Sequence, residues 1–294
     1  MKPPRFDLLR AADGAEAVAA LAQRGDEARI LAGGQSLMTV LNMRLATPAA
    51  LIDITGCADL RTLRTEGSAL VVGAAVTQAA LERLPGLATQ VPLLAQALPW
   101  ISHPQIRSRG TVCGSIAHAD PAAELPLVLA TLGGRVTLRG PRGRRTLAAA
   151  DFFTGMLSTA RAADELLEDV RFPLAGAGAR YAFTEFALRH GDFALAAIAV
   201  AHDAAGLRIG VGGVADRPVV QALPAAALTD AAVLDDALNT LAWSLDAGDD
   251  PHMSAAGRRH LVRRLGRQTV RAAIGSAGML TATAATATAA GSTA

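Results

Sequence analysis

Lysine is almost missing from this chain of 294 residues: Lys2 stands alone, and arginine carries the remaining positive charge. That excludes a Walker-type nucleotide loop, a Schiff-base lysine and a Ser-x-x-Lys nucleophile. Any phosphate held here must be gripped by backbone N–H groups, hydroxyls, helix ends or arginine. Aromatic residues are 3% of the chain, with one tyrosine, Tyr181, so there is no stacking platform for single-stranded nucleic acid. The two cysteines, Cys57 and Cys113, are too few for an iron–sulfur cluster or a structural zinc site. They give no disulfide framework either, which points to a reducing, cytoplasmic setting. A net charge of +2 is too small to make nucleic acid or an anionic membrane the main partner. The first ten residues contain no apolar run suited to a signal peptide, and no transmembrane helix is expected.

What is present suits a globular protein. Hydrophobic residues are 51% of the chain, and its length accommodates two domains. Residues 5–9, 29–31 and 50–54 read as strands. Asp13 with Glu16 three residues later reads as a capping box opening a helix. Residues 37–42 suggest a short helix. A hairpin is expected around Glu66-Gly67-Ser68, and a helix capped by Thr77. Residues 91–98 read as helical and 102–109 as a polar loop. A helix opening at Asp120-Pro121 follows, then a hairpin around residues 140–143. Beyond a Gly- and Ala-rich boundary near 173–178 come three strands (181–188, 195–202, 207–212) and two helices (230–245, 254–274). The residues from 276 to 294 are uncharged and low in bulk, and are expected to be a disordered tail.

Two segments carry the chemistry. In Leu31-Ala32-Gly33-Gly34-Gln35-Ser36-Leu37, a glycine pair follows a strand, so the backbone can approach a ligand and its amides can face an anion. Gly110-Thr111-Val112-Cys113-Gly114-Ser115 has the same character and follows Arg107 and Arg109. One such loop is more often an ordinary glycine turn than a phosphate site; two suit a ligand with two phosphates. Three other patterns mislead. Residues 210–215 match G-x-G-x-x-A, but no helix opens after them, so the dinucleotide context is missing. Gly34-Gln35-Ser36 lacks the second glycine of a nucleophile elbow, and His118 with Asp120 is no metal set. Finally, Arg259, Arg263, Arg267 and Arg271 recur every fourth residue with no acid between 254 and 274. That stripe reads either as a solvated face or as a docking surface, with a protein partner favoured.

The first segment, with Asn42-Met43-Arg44-Leu45 after it, resembles the first FAD loop of the medium, flavin-binding subunits of the xanthine dehydrogenase and carbon monoxide dehydrogenase family. Residues 106–126 are similar to the second FAD loop, residues 189–194 to a third family segment, and the basic helix to the C-terminal end. The resemblance covers residues 1 to 275. It implies an α+β fold: a two-subdomain FAD-binding domain of the vanillyl-alcohol-oxidase type at 1–174, divided near 57–62. A smaller domain at 175–275 would follow, with a three-stranded antiparallel sheet and helices. It implies that Ala32, Gly33, Gly34, Gln35 and Ser36, flanked by Leu31 and Leu37, hold the pyrophosphate together with Thr111, Cys113, Gly114 and Ser115. Glu124 would accept a hydrogen bond from an FAD hydroxyl. Leu167 and Phe193 match positions near the isoalloxazine ring, and Ile101 and His118 are further candidates. Cys113 departs from the family glycine; a positive φ there would cost about 1 kcal/mol or more.

The implied role is electron transfer through noncovalent FAD, with iron–sulfur clusters and the molybdenum cofactor on partner subunits. Two alternatives stay open at this stage: a stand-alone flavin oxidase of the same fold, and a flavin-free interaction module.

Overall fold

A computed structural model describes the backbone of residues 2–288 and the side chains of residues 2–275. The side chains of the expected tail, 276–294, lie outside the described residues. Among the described residues no helix is long and apolar enough to cross a membrane.

The chain begins with strands β1 (Asp7–Arg10), β2 (Ala28–Leu31) and β3 (Ala50–Asp53), all parallel, in the order β1-β3-β2. Parallel neighbours need a crossover, and helix α1 (Gly14–Arg24) supplies the first one. Its start is fixed as expected. Asp13 accepts from the Glu16 N–H at 2.9 Å, and Glu16 accepts from the Ala12 N–H at 2.7 Å. Such caps contribute about 1 kcal/mol. The short helix α2 (Leu37–Asn42) leaves β2 through the first glycine loop.

A five-stranded antiparallel sheet follows. Its strands are β4 (Leu63–Glu66), β5 (Ala69–Gly73), β6 (Arg135–Gly140), β7 (Gly143–Ala148) and, after the small ribbon β8 (Phe153–Gly155) and β9 (Ser158–Thr159), β10 (Leu166–Pro173). The order is β4-β5-β10-β6-β7, so β10 is central. Sequence reasoning did not find β10, because Glu168 and Asp169 interrupt its apolar run. Both acids are matched across the sheet: Glu168 pairs with Arg139 and Arg144, and Asp169 accepts from Thr137.

The segment between β5 and β6 is helical. The helix α3 (Gln78–Glu82) is capped by Thr77 as expected, and α4 (Val112–His118) by Thr111. The second glycine segment is therefore not a loop throughout: from Val112 on it is the first turn of a helix. The next helix, α5 (Glu124–Thr131), opens at Glu124 and not at Asp120-Pro121. Asp120 instead accepts from the Ala122 N–H at 2.9 Å, making an Asx turn before the helix.

The C-terminal sheet is formed by β11 (Arg180–Phe186), β12 (Ala196–Asp203), β13 (Gly206–Gly212) and β14 (Val219–Leu223), antiparallel in that order. It has four strands, not the expected three. The missing one, β14, follows Pro218 directly, and a proline at a strand's threshold is tolerated at a sheet edge. Strand β12 is buried on both faces. Ala196, Ile198 and Val200 face a core shared with helices α6 (Ala231–Ser244) and α7 (Ala255–Thr288), while Ala197 and Ala199 face the N-terminal core.

Small residues let α5 lie close on this sheet. A β-carbon on Gly210 would stand 2.0 Å from Thr131 Oγ1, and one on Gly212 would stand 3.2 Å from Leu127 Cδ2. The buried Arg258 ties the sheet's far side, donating to the carbonyls of Leu195 and Gly213 at 2.9 and 2.7 Å.

Three of the four arginines of the α7 stripe are engaged within the chain. Arg267 donates to Asp235 at 2.7 Å, Arg263 to Asn239 at 3.0 Å, and the Arg259 guanidinium lies 4.7 Å from the Trp243 ring centroid. Residues 235, 239 and 243 repeat every fourth position on α6, so the two stripes mesh as a seam between helices.

Gly210→Val is expected to lower stability by at least about 1–3 kcal/mol, because backbone or helix must shift. Gly56→Ala, with nothing within 4 Å of the added carbon, is expected to change little. Urea denaturation of the two variants checks the contrast; equal stabilities would mean that α5 does not rest on β13.

Candidate functional site

The two glycine segments meet. A β-carbon on Gly33 would stand 2.3 Å from the Arg109 carbonyl oxygen and 2.7 Å from Gly110 Cα, so only glycine allows this approach. Gly34 has φ +73°, a conformation glycine adopts at little cost. Beyond the turn, no backbone carbonyl among the described residues accepts from the N–H groups of Gln35, Ser36 or Leu37. Ser36 stands at the N-cap of α2, yet its hydroxyl makes no capping bond. Gln35 folds back to donate to the Gly33 carbonyl at 2.9 Å. Leu31 ends β2, and its side chain approaches Gly34.

The second segment is held from behind. Gln78 N–H donates to the Gly110 carbonyl at 2.8 Å, and Val112 N–H to the Val76 carbonyl at 3.0 Å. Thr111 is buried and accepts from the Gly114 N–H at 3.0 Å; its own hydroxyl proton is left to donate elsewhere. Ser115 lies one position on, half-buried. Cys113 is helical and absent from the positive-φ residues, so the condition under which cysteine would be strained here is not met. Its thiol is buried, lies 3.3 Å from the Val72 carbonyl, and is pushed above the ordinary thiol range by burial. Its side chain packs beneath the helix.

Residues 101–110 join the remaining candidates to these loops. Arg107 is buried and donates to the carbonyl of Ile101 at 2.9 Å while forming a two-pronged ion pair with Glu82. A β-carbon on Gly191 would come within 2.8 Å of the His103 ring, so the 189–194 segment docks on the same stretch. Trp100 holds it further: its ring lies 6.0 Å from His190 and 6.3 Å from Phe183. Phe193, at the end of this segment, is 75% exposed. His118 ends α4 half-buried, and Leu167 is buried in β10, the strand on which α4 packs.

Two acids complete the region. Glu124, the first residue of α5, is 9% exposed, and burial pushes its carboxyl up to about 7, with Asp120 raising it and Arg107 opposing. Glu185 on β11 is 7% exposed, and burial followed by the Glu124 charge pushes it up to about 8. Sequence reasoning overlooked Glu185 and Gln78. The signal for Glu185 was a single acid inside an apolar strand. Arg107 was noted only as a neighbour of the second segment. A polar cavity of about 340 Å³ also borders α4 at Ala117, with Arg29, Ser158, Thr159 and Arg161 around it. Burial first, and then the Arg29 charge, lower Arg161 below the ordinary arginine value.

The raised carboxyls set a pH dependence. A group bound more tightly to its proton in the folded chain stabilises it fully below its unfolded value, near 4.5, and that contribution is lost as pH rises through the folded value. The cofactor-free chain is therefore expected to lose thermal stability between about pH 5 and about pH 8. Glu185→Gln is expected to flatten that slope, leaving the acid limb below 4.5, set by carboxylates such as Glu165 beside Arg145, in place. An unchanged slope in the Gln variant would show that this carboxyl is not the buried acid described.

Comparison with known proteins agrees with this geometry. Residues 4–175 match the family model described as the FAD binding domain in molybdopterin dehydrogenase. The nicotine 6-hydroxylase medium subunit of Paenarthrobacter nicotinovorans is 39% identical, covering 83% of this chain and 89% of that protein. The carbon monoxide dehydrogenase medium chain of Afipia carboxidovorans is 39% identical over 74% and 78%. Among solved structures, a carbon monoxide dehydrogenase chain from Oligotropha carboxidovorans superposes with a TM-score of 0.87 at 34% identity, covering 94% of this chain and 99% of the other. Quinoline 2-oxidoreductase from Pseudomonas putida 86 gives 0.85 at 32%, with the same coverage. The chain belongs to the family of FAD-binding domains of molybdopterin dehydrogenases.

Proposed function

We propose that this chain is the FAD-carrying, electron-transferring subunit of a molybdenum hydroxylase, working in the cytoplasm beside an iron–sulfur subunit and a molybdenum-cofactor subunit, as a heterotrimer. The observation that carries the reading is the contact of Gly33 with Arg109 and Gly110, which unites two amide-bearing bends in one place. In a chain with one lysine, at its second residue, such bends are the natural grip for a diphosphate. The medium subunits among its relatives support the same assignment. The two cysteines, both buried, leave no thiolate set for clusters on this chain.

In this reading Ala32 to Ser36 present backbone amides and the Ser36 hydroxyl to the pyrophosphate, and Thr111 and Ser115 present their hydroxyls from the other side. Glu124 accepts from an FAD hydroxyl. Ile101, His118, Leu167 and Phe193 shape the surroundings of the rings, and the cavity beside α4 gives room for part of a large cofactor. FAD binds without a covalent link and supplies the exchange between single-electron and paired-electron transfer. The chain's task is to hold and orient it. The FAD-binding unit spans 1–174 and the second unit 175–275.

Gly34→Val forces a β-branched residue into φ +73°, which costs on the order of 1–3 kcal/mol and moves the amides that follow. The purified chain is expected to be yellow or to bind added FAD. The variant should lose that binding with its far-ultraviolet circular dichroism unchanged. A Gly34→Val protein with full FAD affinity would overturn the assignment of this loop.

A further inference from the structure

Strand β11 alternates between two environments. Ala182 packs into the core shared with α6 and α7, whereas Tyr181 and Phe183 pack against the N-terminal core. Side chains two residues apart share a face, so Glu185 belongs with Tyr181 and Phe183. Phe183 meets Trp100, the residue before Ile101, so Glu185 lies one step further along the same seam. There it is 7% exposed, and its Oε2 atom is buried with no hydrogen-bond partner. The Glu124 charge acts on it as well.

A buried carboxyl oxygen without a donor destabilises a protein and calls for an explanation. Nothing in the packing supplies one. The strand would be better filled there by leucine or glutamine if its role were only to cover the N-terminal core. A ligand hydroxyl arriving between Glu124 and Glu185 would satisfy the orphaned oxygen and separate the two charges. Both acids lie where the proposed FAD site meets the C-terminal sheet.

We propose that Glu185 is a second acceptor for FAD hydroxyls, so that a hydroxyl-bearing stretch of the cofactor is held between one acid from α5 and one from β11. This rests on the FAD reading above and extends it: cofactor binding then fastens the C-terminal sheet to the N-terminal core. The hydroxyls belong either to the ribityl chain or to the ribose.

The test uses the full chain, stripped of flavin, with FAD, FMN and ADP as separate probes. Glu185→Leu is expected to weaken FAD binding at least tenfold while leaving the melting temperature of the FAD-free chain at pH 8 unchanged or higher. A structural residue would not give that opposition. Glu185→Gln, which keeps the shape and one acceptor, should fall between the two and guards against a Leu variant that does not fold. A loss seen with FMN assigns the ribityl hydroxyls, and one seen with ADP the ribose.

Wild-type FAD affinity in the Leu variant, beside a Gly34→Val control that no longer binds, would overturn this inference and leave the FAD reading standing. Affinity and FAD-free melting temperature falling together would also overturn it. If the unaltered chain binds no FAD, the FAD reading fails, and this inference with it.

Discussion

The carbonyl oxygen of Arg109 stands 2.3 Å from where a β-carbon on residue 33 would be. No other side chain than glycine's hydrogen fits there, and the candidate site depends on that absence. Gly33 ends the run from the small parallel sheet, and Arg109-Gly110 ends the helical stretch that leads into α4. Their contact converts two separate bends, more than seventy residues apart in sequence, into one surface of backbone donors. With the only lysine at position 2, these donors and nearby hydroxyls are what the chain can offer a diphosphate.

The rest of the fold serves to hold that contact and close it on one side. Gln78 and Val112 tie the second bend to the segment leaving β5, and Arg107 ties it to Ile101 and Glu82. The C-terminal sheet approaches through its smallest residues: Ala197, Ala199, Gly210 and Gly212 let α5 lie against it. That closeness sets Glu124 and Glu185 in a common dry environment and brings the Gly191 turn onto His103. Close packing by small residues thus makes the polar chemistry of the site possible, because it is what excludes water from the acids.

Much of this was legible from the residues. The capping box at Asp13, the cap at Thr77, the helix at 37–42 and both hairpins follow local rules that the structure obeys. The two glycine segments were visible as a pair, although their direct contact was not. The failures share a cause: the deciding partner lay far away in sequence. Strand β10 was left unassigned, and the arginines that match its Glu168 come from β6 and β7. The arginine stripe of α7 looked unpartnered because Asp235, Asn239 and Trp243 had not been read as its complement. Glu185 passed unnoticed because its burial depends on a neighbour, α5, that only the folded chain provides. Cys113 is free of the strain that a positive φ would bring for a local reason: with Thr111 as cap, the residues that follow are helical, and a helix accepts cysteine.

The joined grip of the two bends is tested most directly by backbone hydrogen exchange of the full chain with and without FAD. Peptides spanning residues 31–38 and 109–116 are expected to gain protection together, at the same FAD concentration, and both are expected to lose the gain in Gly33→Ala. Protection of one segment alone, or of neither while FAD is bound, would contradict a diphosphate held between them.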